Sequence, residues 1–95
     1  MKQSVIILGK KYDIQLVDEM RLVADDGKAF AQVDTEKRRI RIYNSKKNDD
    51  MFESLLHEVV HAIEDELSLK MTEATVRRLS VGLADFLTRN GYVKL

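Results

Sequence analysis

The apolar residues of this chain change their spacing once, near residue 48, and that change constrains the fold more than any other feature. Before it they alternate with polar residues. Tyr12, Ile14 and Leu16 are separated by Asp13 and Gln15, and Ile40 and Ile42 by Arg41. Alternation with period two marks a strand with one buried face. After it they recur every three or four residues: Phe52, Leu55, Leu56, Val59, Val60 and Ile63, then Val76, Leu79, Ser80, Leu83, Phe86 and Leu87. That spacing marks the buried stripe of an amphipathic helix. Strands followed by helices in 95 residues predict one α+β domain over residues 1–95. We expect a small, mainly antiparallel sheet of three or four strands, then two packed helices.

Turn chemistry divides the first half. The run Val5-Ile6-Ile7-Leu8 stops at Gly9-Lys10-Lys11, which predicts a hairpin with the strand around Ile14. Phe30 to Val33 and Arg39 to Tyr43 predict a second hairpin, with Ile40 and Ile42 facing the core and Arg39 and Arg41 facing out. Asp25-Asp26-Gly27 is a turn signal, and Asp18 to Ala24 suits either a short helix or an irregular connection. In the second half Asn48, Asp49 and Asp50 offer N-caps, and Asp50 with Glu53 resembles a capping box. A second helix start falls at Thr72, and Asn90-Gly91 is a stop signal.

Composition narrows the chemistry. Sixteen basic residues balance sixteen acidic ones, whereas nucleic acid or an anionic membrane calls for clustered positive charge. Neither is expected as a partner. With no cysteine, any metal must be held by His, Asp or Glu. The apolar run from Val5 to Leu8 is too short for a signal peptide, and nothing approaches a membrane span. The expected location is the cytoplasm. Met20, Met51 and Met71 read as core filler. Arg77-Arg78 and Glu64-Asp65-Glu66 read as solvated helix faces, and Lys46-Lys47 is too short for a nucleic-acid patch.

Both histidines of the chain lie in His57-Glu58-Val59-Val60-His61, inside the first predicted helix. Residues four apart share one side of a helix, so the two imidazoles can bind one tetrahedral Zn²⁺ at about 2.0–2.1 Å each. Glu58 points about 100° away from His57 around the helix. It can therefore stand beside the metal without ligating it and take a proton from a metal-bound water. The competing reading is two ordinary structural histidines.

A catalytic zinc site has three protein ligands and one open position. Glu73 is the candidate for the third, because it extends the edge of the apolar stripe of the second helix, where a carboxylate needs a partner. As a mere helix-end charge it would contribute about 0.3–1 kcal/mol. The geometry carries a condition. In a tight helical hairpin Glu73 would lie level with Leu67, too far from His61. The first helix must then end soon after Ile63, or the helices must cross at a large angle. Glu64 and Glu66 are weaker alternatives as ligands. Asp65 suits a supporting role, accepting the free ring N–H of His61.

These residues carry a resemblance. Leu56-His57-Glu58-Val59-Val60-His61-Ala62-Ile63, followed by Glu73-x-x-Val76-x-x-Leu79-Ser80, resembles the zincin metallopeptidases. Among them it resembles the Glu-zincins, and the IrrE/ImmA-type peptidases of bacteria and mobile elements. That group pairs His-Glu-x-x-His with Glu-x-x-Ala-x-x-Phe-Ala. The hairpin-rich front and the ending Leu83-Ala84-Asp85-Phe86-Leu87-x-x-Asn90 look closer still to small phage- and prophage-encoded proteins of a minimal zincin type. The resemblance implies a zinc-dependent hydrolase of peptide bonds, with His57, His61 and Glu73 on the metal and Glu58 as general base. The expected partner is a peptide or protein substrate, held extended along a sheet edge. The alternative is a zinc-binding regulatory or interaction module without peptidase activity of its own. Unlike larger zincins, the chain has no further histidine to stabilise an oxyanion. Tyr43, Tyr92, Arg77 or the metal alone would have to serve.

Overall fold

The computed structural model of the chain describes residues 3–18 and 31–93. Strands β1 (Ser4–Ile7) and β2 (Lys10–Val17) form the expected hairpin. Its two-residue turn has positive φ at both Leu8 (48°) and Gly9 (80°). That geometry matches the twist of the flanking strands and suits glycine at the second position. Strands β3 (Ala31–Asp34) and β4 (Arg39–Tyr43) form the second hairpin. Its turn is pinned by Asp34, whose carboxylate accepts the Lys37 N–H at 3.0 Å. Phe30, the Asp25-Asp26-Gly27 turn signal and residues 19–24 lie outside the described residues.

The hairpins join into one four-stranded sheet of order β1-β2-β4-β3. Both hairpin pairs are antiparallel, while β2 and β4 run parallel, with Ile14 opposite Ile40 and Leu16 opposite Ile42. This register puts Tyr12, Ile40 and Ile42 on one face, all three fully buried, with Ile7 beside them. Helix α1 (Asn48–Leu67) covers that face with Met51, Phe52, Leu55 and Ala62. The result is an α+β domain with β3 at one edge of the sheet among the described residues. Among the described residues no helix is long and apolar enough to cross a membrane.

The start of α1 differs from the expected capping box. Its N-cap is Lys47, without a side-chain cap, and Asp49 and Asp50 lie inside the first turn. There they favour the helix by facing its positive end. Helix α2 (Glu73–Arg89) starts as expected, with the Thr72 hydroxyl accepting the Thr75 N–H at 3.1 Å, and its cap, Asn90, is followed by Gly91 at φ 71°. Its buried face also differs. Val76, Ser80 and Ala84 are buried, whereas Leu79, Leu83 and Phe86 are about 40–50% exposed. The buried positions recur every fourth residue, along one side of the helix. The Ser80 hydroxyl donates to the Val76 carbonyl at 2.6 Å, so its burial leaves no polar atom unpaired.

The acidic run Glu64-Asp65-Glu66 is not a uniformly solvated face. Glu66 accepts from Lys10 Nζ at 2.6 Å and ties the first hairpin to the end of α1. That hydrogen bond holds its carboxyl below the usual range, and burial pushes the neighbouring Tyr12 hydroxyl up.

Candidate metal centre

Helix α1 runs unbroken through the motif, so His57 and His61 project from the same side. Their rings meet edge to face, with centroids 4.8 Å apart. Helix α1 does not end after Ile63; it continues to Leu67. The chain reaches back by another route. Ser68 and Lys70 take left-handed backbone conformations, and the connection ends at Thr72. The link carries the chain back beside α1, and Glu73 reaches the histidines from the first turn of α2.

Glu73 lies against both rings. Its Oε1 is 2.7 Å from His57 Nε2, and its Oε2 is 2.9 Å from His61 Nε2. These three residues offer one ligand atom each, all within 4.8 Å of one another. A tetrahedral zinc holds such atoms about 3.4 Å apart, so the Glu73 carboxylate, which now lies within hydrogen-bond distance of both rings, would move slightly away from them to share an ion. Two imidazole nitrogens and a carboxylate oxygen are ligands that zinc accepts. The burial argument for Glu73 is overturned. Its side chain is 55% exposed, because it stands at the mouth of a cleft rather than within the apolar face.

Glu58 does stand beside the ligands without joining them. It is 6% exposed, and burial pushes its carboxyl up to about 7. The nearby His61 and a hydrogen bond from the Val33 backbone N–H lower it, and Glu73 raises it. The bond from Val33 means that this N–H is directed away from β4. This edge of β3 thus faces the motif. A cleft of about 620 Å³ lies between them, with Ala31, Gln32, Val33 and Thr35 along one side and the motif residues with Glu73 along the other.

Glu64 and Asp65 exchange their expected places. Asp65 is exposed on the cleft wall, whereas Glu64 Oε2 lies 3.5 Å from His61 Nδ1. The spacings i, i+3 and i, i+4 both reach the ring, and it is the more buried Glu64 that meets it. Glu64 is thus on the far side of the ring from Glu73, not in position to ligate the same ion. Glu66 is engaged by Lys10. Of the residues considered for an oxyanion, Tyr43, Arg77 and Tyr92 all lie outside the cleft lining. Two contributors were not anticipated. Thr35 follows the second hairpin's first strand with nothing in its local pattern to mark it, and the Val33 amide is backbone. No protein-family profile, curated protein or solved structure matches this chain.

Proposed function

We propose that this protein is a zinc-dependent metallopeptidase. The observation that carries the proposal is the convergence of His57, His61 and Glu73 from two helices, with the buried carboxyl of Glu58 beside them. When bound, zinc would polarise a scissile carbonyl and lower the pKa of a water toward about 7. The chain's own residues do the rest. The β3 edge receives an extended peptide by strand addition at positions other than the Val33 N–H, which Glu58 engages. Glu58, poised near neutrality, takes the proton of the attacking water and delivers it to the leaving amine as the C–N bond breaks.

A second reading has one observation in its favour. Among the described residues the cleft wall offers no tyrosine, arginine or lysine to stabilise an oxyanion. A zinc-binding regulatory module would need none. The test has two stages. Elemental analysis of the purified protein should find one zinc per chain, and His57→Ala or His61→Ala should abolish tight binding; stoichiometry near zero in metal-replete buffer would remove both readings. Glu58→Gln should then keep the zinc but lose cleavage of any peptide that the parent cuts from a broad library. A zinc-loaded parent that cuts none favours the regulatory module.

A further inference from the structure

The two ring nitrogens of His61 face different carboxylates. Nε2 is 2.9 Å from Glu73 Oε2, and Nδ1 is 3.5 Å from Glu64 Oε2. The Glu64 oxygen is fully buried, and among the described residues no hydrogen bond reaches it. The chemistry of imidazole accounts for this. A neutral ring carries one N–H. In a neutral ring whose N–H at Nε2 goes to Glu73, Nδ1 has no proton to offer, and the Glu64 oxygen is left without a donor. A buried acceptor in that position disfavours the fold.

Building on the metal reading above, we propose that Glu64 is a positioning residue of the metal centre. Its Oε2 is held ready for the Nδ1–H that His61 must carry when Nε2 is a ligand. A metal held by Nε2 would use that nitrogen's lone pair, and the ring's N–H would then stand at Nδ1, facing Glu64. Glu73 would serve as a ligand rather than as an acceptor, and Glu64 would acquire its partner. A carboxylate behind a ligating histidine fixes the ring plane and tautomer and makes the ligand nitrogen more basic.

The inference has a signature that a packing role would lack. Glu64 opposes the fold stripped of metal and supports the loaded site, so its removal acts with opposite signs on the two. The experiment uses the full chain as the parent, Glu64→Gln and Glu64→Leu. Zinc affinity is measured by competition with a chromophoric chelator, Co²⁺ spectra are recorded in the visible region, and melting is followed in excess chelator. Zinc affinity should fall about 10–100-fold in Glu64→Leu. It should fall less in Glu64→Gln, whose side-chain oxygen still accepts the Nδ1–H. The Co²⁺ bands should move in both, and both should melt in chelator at or above the parent's temperature. Unchanged zinc affinity in both variants, beside a parent that binds zinc, would overturn the role of Glu64 and leave the metal reading standing. A joint fall of zinc affinity and chelator melting temperature would overturn it too, by making Glu64 a structural residue. A parent that binds no zinc would overturn the metal reading itself.

Discussion

Replacing Glu58 by glutamine should stabilise the metal-stripped protein at pH 8 and leave it almost unchanged near pH 4. The Glu58 carboxyl is 6% exposed, and its pKa is raised from 4.5 to about 7, chiefly by burial. Between those values the folded chain keeps a proton that the unfolded chain has released. The stability this contributes is complete below pH 4.5 and is lost as the pH rises through about 7. At about 1.4 kcal/mol per pH unit the interval amounts to about 3 kcal/mol by pH 8. Glutamine preserves the shape, keeps an acceptor for the Val33 N–H and never ionises. Urea unfolding in excess chelator at intervals from pH 4 to 8 should therefore show the parent falling about 3 kcal/mol behind the variant. Equal dependence on pH in the two proteins would refute the argument, because it would mean that the carboxyl ionises as freely in the fold as in the unfolded chain.

Glu73→Ala should weaken zinc binding by orders of magnitude, and chelator should lower the parent's melting temperature far more than the variant's; unchanged affinity in a zinc titration would place the third ligand elsewhere. Thr72→Ala deletes the acceptor of the Thr75 N–H and should cost about 1 kcal/mol in urea unfolding. Ile40→Ala, at a fully buried position between β2 and α1, should cost about 2–5 kcal/mol by the same measurement; a loss below 1 kcal/mol would show that the sheet face is not packed as described.

The parts of this protein that could be read from sequence are those set by local geometry. Ile40 and Ile42, flanked by arginines, declare their buried face by alternation alone, and both are fully buried. The pairing of His57 with His61 is equally local, since four residues on a helix fix their relation. What could not be read depends on contacts between distant segments. The parallel pairing of β2 with β4 joins two hairpins whose separate patterns say nothing about each other. On helix α2 the expected stripe holds in part: Val76 and Ser80 are buried, but Leu79, Leu83 and Phe86 are half-exposed and the small Ala84 is buried in their place. Glu64 shows the same limit at the site. Its spacing from His61 was visible, but which acidic neighbour turns toward the ring depends on the burial around it.

The candidate ligands and base all fall between His57 and Glu73, on one helix–link–helix stretch, whereas the opposite wall of the cleft belongs to β3 and its turn. On the proposed function this makes the protein modular. The helical stretch governs whether a metal is held, and the strand governs what is presented to it. Exchanging Gln32 or Thr35 would redirect the protein toward other peptides while leaving its affinity for metal where it was. The hydrogen bond described across that divide is the Val33 amide on Glu58. Because the backbone supplies it, every residue except proline preserves it. Selection can thus rewrite the strand almost freely without disconnecting it from the chemistry it serves.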